Sequence, residues 1–264
     1  MALVDYHVHT PLCGHAHGEP AAYVEHAIAV GLSEIGFSDH APLPAGMREG
    51  ITMLPEETER YIAMIERVRD EHRGRIPVRL GFEVDYPLHD TFDRRYLDDP
   101  RIDYLIGSCH FVDGWAFDHP DGVAEYNRRD VDEVYAAYYD TLIELANEGR
   151  FHIVGHFDLV KKFGHRATRD HHDRIRRVLM ALARCGTAVE ISTAGLRKPV
   201  GEIYPAPDIV ALLFEMNVPV TLGSDAHAPE EVGYEFARAR ELIRGAGYRR
   251  IARFEKRVRR DVPI

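Results

Sequence analysis

Residues 2–10 read ALVDYHVHT. The segment is short, apolar at its start, and closes on two histidines, His7 and His9, two positions apart. It reads as a strand, and in a strand residues i and i+2 face the same side. Six further segments repeat this design of an apolar run that ends on a chemically capable side chain: SEIGFSDHA at 33–41, PVRLGFEVDY at 77–86, IDYLIGSCHF at 102–111, FHIVGHFDLV at 151–160, TAVEISTAG at 187–195 and VPVTLGSDAHA at 218–228. Helix-like segments lie between them: 19–31, 54–72, 130–149, 168–186, 206–217 and 233–247. Pro55 suits a first helical turn, Asp130 suits an N-cap, and Gly31, Gly149 and Gly186 suit helix stops.

This alternation predicts βα units and a parallel sheet. No glycine- or serine-rich linker interrupts it, so residues 1–264 read as one domain. The polar strand ends, His9, His40, Glu83, His110, His156, Glu190 and Asp225, recur at roughly 36-residue intervals, a plausible length for one βα unit. In a parallel α/β barrel all such ends meet on one face, where active sites sit. Seven units are visible, and residues 248–264 hold at most a short closing strand, so a regular eight-fold barrel is not assured.

The chain as a whole sets bounds. It has 264 residues, 45% of them hydrophobic, and a formal charge of −10 with neutral histidines. That is enough chain for a single α/β barrel, and an acidic surface does not attract polyanions. The basic segment YRRIARFEKRVRR at 248–260 reads as a solvated face on a closing element rather than a nucleic-acid patch. No run reaches the ~18 apolar residues of a membrane span, and the N-terminus lacks the pattern of a secretory signal. The three cysteines, Cys13, Cys109 and Cys185, form no evident disulfide framework, which fits a cytoplasmic protein. The sixteen histidines are internal and spread out, so they are not a purification tag.

A single histidine is usually structural. Six histidines and three carboxylates on one predicted face are another matter, because a packed interior does not gather such groups without compensating charge. Metal cations supply it. Imidazole and carboxylate donors suit Zn, Mn or Fe, and there are too many of them for one tetrahedral ion, so two or three ions are expected. Cys13 and Cys109 read as small buried or loop residues rather than thiolate ligands.

The motifs HVHT, SDH, GFEVDY, GSCHF, GHFD, ISTAGLRKP and GSDAH occur in that order over nearly the whole chain. In this the sequence resembles the polymerase-and-histidinol-phosphatase (PHP) superfamily. HFVDGWAFDHP at 110–120 and ISTAGLRKPVGEIYP at 191–205 resemble its branch of monofunctional histidinol-phosphate phosphatases. The resemblance implies a distorted (β/α)7 TIM-like barrel with a three-metal site. It assigns His7, His9 and Asp225 to a first ion and Glu83 as a bridge to a second. His110 and His156 would complete the second ion, and His15, His40 and His227 would hold the third. His17 has no counterpart. It further implies metal-dependent hydrolysis of the phosphomonoester L-histidinol phosphate by a metal-activated hydroxide. No nucleophilic serine, cysteine or aspartate motif is apparent, so no phospho-enzyme is expected, and the acidic charge and short apolar runs lead to the expectation of no nucleic-acid partner and no membrane. Arg197 and Lys161, with Lys162 an equal candidate, would contact the phosphate.

Asp5, Asp39 and Asp158 are expected to orient imidazoles by accepting their second N–H. Glu190 would balance charge or meet the substrate's amino group. The segment around Trp115 reads equally as a cover for the site or as a packed turn. Two other readings stay open: a PHP phosphoesterase acting on nucleotides or DNA ends, and a non-catalytic metal-binding module. The acidic charge disfavours the polynucleotide substrate, and the filled ligand positions disfavour the module.

Overall fold

The computed structural model describes residues 3–88 and 92–264. Ala2, at the head of the first expected strand, lies outside them. All seven expected strands form: β1 (Val4–Asp5), β2 (Glu34–Phe37), β3 (Val78–Asp85), β4 (Tyr104–Ser108), β7 (Ile153–Val154), β8 (Ala188–Ser192) and β9 (Val220–Gly223). Between β4 and β7 sits a small antiparallel hairpin, β5 (Phe111–Val112) with β6 (Trp115–Ala116). The seven strands make one sheet in the order β1-β2-β3-β4-β7-β8-β9, every neighbouring pair parallel.

The sheet curls until its edges meet. The Tyr6 N–H donates to the Leu222 carbonyl at 3.1 Å, Val8 bridges Ala226 in parallel, and the His9 N–H donates to the Ala226 carbonyl at 2.9 Å. The result is a nearly closed seven-stranded barrel, distorted by strands as short as two residues at β1 and β7. Pairing the edges removes the exposed rows of N–H and C=O that an open sheet would carry.

The helices are α1 (Pro20–Ala29), α2 (Thr58–Glu71), the single turn α3 (Arg94–Leu97), α4 (Val131–Glu148), α5 (His172–Cys185), α6 (Pro207–Glu215) and α7 (Phe236–Ala246). The Asp130 side chain accepts the Asp132 N–H at 2.9 Å, the expected cap of α4. Pro55 departs slightly from expectation: it opens a 3₁₀ turn over Pro55–Glu57 that runs on into α2. No helix among the described residues is long and apolar enough to cross a membrane.

The chain ends in a second hairpin rather than an eighth βα unit. Its strands β10 (Arg250–Glu255) and β11 (Val258–Pro263) pair antiparallel with Arg253 opposite Arg260. The basic segment thus closes the barrel at the N-terminal ends of its strands. The Phe254 ring lies 5.9 Å from Tyr6 and 6.3 Å from Tyr104, and the Phe254 N–H donates to the Tyr6 hydroxyl at 3.1 Å. Arg253 and Arg79 both pair with the buried Glu34 at the start of β2, which explains part of the basic cluster. Gly36 makes room for this aromatic layer, since a β-carbon there would collide with the Tyr104 hydroxyl and lie 2.7 Å from the Tyr6 ring.

His152 belongs to the same closed end. Its Nδ1 accepts the Leu105 N–H at 3.1 Å, and burial, with the charge of Arg257 adding, lowers its pKa to about 4. In the unfolded chain a histidine titrates near ~6.5, so between these values only the unfolded state takes up the proton. His152 therefore favours folding above that window and progressively loses its contribution as pH falls through it. His152→Gln is expected to lose less stability than the parent between about pH 6.5 and 4 in urea titrations; parallel losses in both proteins would contradict this role.

Candidate metal centre

The C-terminal strand ends deliver the expected donors to one place, and Glu83 on β3 is its centre. Its Oε2 lies 3.3 Å from His7 Nε2, 3.6 Å from His9 Nε2 and 2.9 Å from His40 Nδ1. Its Oε1 lies 3.0 Å from His156 Nε2 and 3.6 Å from His110 Nε2, and accepts the Ser108 hydroxyl at 2.6 Å. Asp225 Oδ1, just past β9, is 3.1 Å from His9 Nε2 and 3.8 Å from His7 Nε2. His227 stacks on His9 at 4.1 Å and on His15 at 4.6 Å. All nine residues expected at the site therefore converge. Within them His7, His9 and Asp225 form one group, and His15, His40 and His227 another, with donor atoms inside 4.8 Å of each other. His17 stays apart: it is exposed, and its main-chain N–H donates to the His227 carbonyl at 2.9 Å.

The chemistry of this donor set fits cations. His7 Nε2, His9 Nε2, His40 Nδ1, Glu83 Oε2 and His227 Nε2 are buried atoms without a hydrogen bond, although the first three crowd around the fourth. Buried polar atoms are ordinarily paired, so this cluster is built for something other than internal hydrogen bonding. The electrostatics agree. Burial opposes protonation of His9, yet the Asp225 and Asp39 carboxylates prevail and raise it to about 9. Burial likewise opposes protonation of His110, and Asp85 and Glu83 raise it to about 10. Glu83 and Asp225, despite burial, are held well below the ordinary carboxylate range by the imidazoles around them. These carboxylates demand positive charge, which protons meet only when nothing better is bound. His15 and His227 behave oppositely: burial and neighbouring imidazoles lower His15 to about 4 and lower His227 as well, leaving neutral nitrogen donors.

Cys13 also lies within 4.8 Å of His9 and His227 donor atoms. Burial raises its thiol to about 12.

The carboxylates behind the imidazoles differ in part from expectation. Asp39 lies 3.5 Å from His9 Nδ1 and accepts the Thr10 and His40 N–H groups, so it supports the site as expected. Asp5 does not touch an imidazole; it accepts the main-chain N–H groups of His7, Ser224 and Gly233, tying β1 to the end of β9. Asp158 pairs with Lys161 at 2.7 Å and caps Ala206. The orienting role falls instead to Asp85, 2.7 Å from His110 Nδ1, and to Glu190, 2.8 Å from His7 Nδ1.

Glu190 sits buried behind His7, off the cavity wall, and its other oxygen accepts the His156 N–H at 2.7 Å. That bond holds His156 at a φ of 22°, and Asp225 stands at 52°. Such left-handed backbone is uncommon for residues other than glycine and concentrates at functional sites. Asp85 was open to detection, because it shares the strand face of Glu83. The sequence offered no such signal for the packing of Glu190 against His7.

A cavity of about 570 Å³ opens over the cluster. Lys162 and Lys198 bring positive charge to its wall, and Asp118 and Glu231 bring negative charge. Lys161 is not on that wall. It is buried against Asp158, Glu202 at 3.2 Å and the Ile203 carbonyl at 3.1 Å. Of the two adjacent lysines, Lys162 therefore faces the cavity, paired with Asp118 at 3.0 Å. Arg197 is also absent from the wall; it is bound to the main chain around Asp225. The Trp115 segment is a packed turn that also shapes the cavity. Trp115 donates to the Gly122 carbonyl at 3.2 Å and packs edge-on against Tyr126, while Phe111, Ala116 and Asp118 line the opening.

Comparison with known proteins adds a second line of support. The family model described as "PHP domain" matches residues 5–194. The chain is 44% identical over 250 residues to a protein of Deinococcus radiodurans named "Probable histidinol-phosphatase", covering 94% of this chain and 95% of the relative. It is 30% identical to the histidinol-phosphatase of Bacillus subtilis, covering 89% and 97%. In fold it is similar to a crystal structure of histidinol phosphate phosphatase from Lactococcus lactis complexed with zinc, L-histidinol and phosphate. The TM-score is 0.81 at 23% identity, over 98% of each chain.

Gly223 tests the support behind His7. A β-carbon at this position would strike Glu190 Oε1 and come within 2.8 Å of His7 Cβ. Gly223→Ala is expected to cost about 1–3 kcal/mol of stability by overpacking and to lower the divalent metal retained through dialysis. Wild-type Tm together with wild-type metal content by elemental analysis would refute the packing argument.

Proposed function

The chain belongs to the PHP-domain family, and from that membership we propose that it hydrolyses L-histidinol phosphate to L-histidinol and phosphate. One observation carries the reading: a chain 44% identical over nearly its whole length to a protein named as a histidinol-phosphatase also gathers nine imidazoles and carboxylates at one barrel mouth. On this reading residues 1–264 act as one phosphoesterase domain. His7, His9 and Asp225 would hold a first divalent cation, His110 and His156 a second with Glu83 serving both, and His15, His40 and His227 a third. Zinc, manganese and iron all accept such nitrogen and oxygen donors. Bound there, divalent cations would neutralise phosphate oxygens and make water acidic enough to ionise near neutral pH.

The chain's own residues supply the rest. Lys162 and Lys198, on the cavity wall, draw the phosphate dianion toward the cluster and offset its charge. Asp118 stays ionised: burial works against it, but Lys162 and His110 hold it below the ordinary carboxylate value. Cys13 and Cys109 are buried thiols raised far from ionisation, so neither is a nucleophile for a covalent intermediate. On this reading water attacks phosphorus directly. The three cysteines are free, in keeping with the cytoplasm as the place of the reaction.

Kinetics on a panel of phosphomonoesters, with protein of known metal content, test this directly. The expected kcat/KM for L-histidinol phosphate exceeds that for generic monoesters by about a hundredfold or more. A flat panel would reject the substrate while leaving the family assignment intact. In a single turnover in 18O-water the label is expected in the released phosphate, and a trapped phospho-protein would overturn the direct route. His9→Ala and Asp225→Asn are each expected to lose both bound metal and at least about a hundredfold in kcat; full activity without metal would sink the mechanism.

A further inference from the structure

We propose that Arg197 and Glu231 form a clamp that positions Asp225 and His227 for cation binding, so that Arg197 is a positioning residue rather than a contact to the phosphate. Arg197 ends the 3₁₀ turn Ala194–Arg197 that follows β8. Its Nη2 donates to the Ser224 carbonyl at 2.8 Å and to the Asp225 carbonyl at 3.0 Å. Its Nε lies 3.1 Å from Glu231 Oε1, and the guanidinium sits 5.3 Å from the Tyr234 ring centre. The other oxygen of Glu231 accepts the His227 N–H at 2.8 Å. The turn after β8 is thereby tied to both ligands that follow β9.

The Asp225 peptide is the shared element. Its carbonyl receives Arg197 and also lies 3.0 Å from His227 Nδ1, an arrangement that leaves His227 Nε2 free to meet a ligand. Asp225 itself is held in left-handed backbone, at a φ of 52°, which an aspartate leaves readily unless neighbours fix it. The planar fork of arginine suits this double carbonyl contact with a side contact to a carboxylate, and a lysine ammonium does not reproduce it. Asp225, His227 and Glu231 all line the cavity, whereas Arg197 does not. Its Nη2 and Nε are already spent on holding the loop, and its Nη1 is buried without a hydrogen bond.

The inference rests on the reading that the cluster binds divalent cations, and the test separates the two. Metal-stripped wild type, Arg197→Ala, Arg197→Lys and Glu231→Gln would be titrated with cobalt(II) alone in phosphate-free buffer. Affinity and the visible ligand-field spectrum would be read, and inhibition by inorganic phosphate measured separately on metal-loaded protein. The expected result is a loss of about ten- to a hundredfold in cobalt affinity for Arg197→Ala, with a changed spectrum. A smaller loss is expected for Glu231→Gln and partial recovery for Arg197→Lys. Wild-type affinity and spectrum in Arg197→Ala and Glu231→Gln, with weakened phosphate inhibition in the former, would overturn the clamp and restore Arg197 as a phosphate contact. Should Arg197→Ala not fold by circular dichroism, Glu231→Gln alone decides in the same way. Failure of the wild type itself to bind cobalt would instead reject the cation reading, and the clamp with it.

Discussion

The buried carboxylate of Glu83 is the constraint on which the rest of the site depends. It sits in the barrel mouth, hydrogen-bonded to Ser108 and within 3.6 Å of nitrogen atoms from five histidines. A carboxylate taken out of water is strongly disfavoured unless opposite charge surrounds it. The imidazoles alone answer such demand only by taking up protons: against burial, Asp225 and Asp39 push His9 to about 9, and Asp85 with Glu83 pushes His110 to about 10. Divalent cations answer it better, because each neutralises a carboxylate and satisfies several nitrogen lone pairs at once. The proposed chemistry follows from the same feature, since charge concentrated to balance Glu83 is also charge available to a phosphate.

The surrounding structure holds these donors in place. Parallel strands bring residues that are far apart in sequence to a common end, so His7 and Asp225 meet although 218 positions separate them. A further layer then fixes orientation: Glu190 behind His7 and the His156 main chain, Asp85 behind His110, Asp39 beside His9, and Asp5 joining β1 to the loop after β9. At the opposite end the C-terminal hairpin seals the barrel with Phe254 against Tyr6 and Tyr104. At the mouth, local contacts hold the left-handed backbone: Glu190 accepts the His156 N–H, and Arg197 donates to the Asp225 carbonyl.

Much of this was legible because the relevant signals are local. An apolar run ending on a histidine or carboxylate marks a barrel strand and its functional end together, and the i, i+2 spacing of His7 and His9 places both on one face. All seven barrel strands and the convergence of their polar ends followed from such features, whereas the full set of nine donors, with His15 on its loop, was implied by the family resemblance. Long-range side-chain packing was not legible. Nothing local in TAVEISTAG says that Glu190 backs His7, or that Gly223 makes room for it. Adjacent lysines are equivalent in sequence, and only the turn over Leu159–Lys161 sends Lys161 inward to Asp158 and leaves Lys162 on the cavity. The terminal hairpin was missed because its charged residues obscure strand periodicity, their partners Glu34 and Arg79 being far away in sequence.

The central claim is that Glu83 is shared between cations. Anomalous diffraction from crystals of the metal-loaded protein, collected on either side of the absorption edge of the bound element, addresses it directly. Separate anomalous peaks are expected on the two sides of the Glu83 carboxylate, each at about 2.0–2.2 Å from one of its oxygens. One peak would share His7, His9 and Asp225, and the other His110 and His156. A carboxylate that contacts only protein atoms, with the peaks elsewhere or absent, would contradict it.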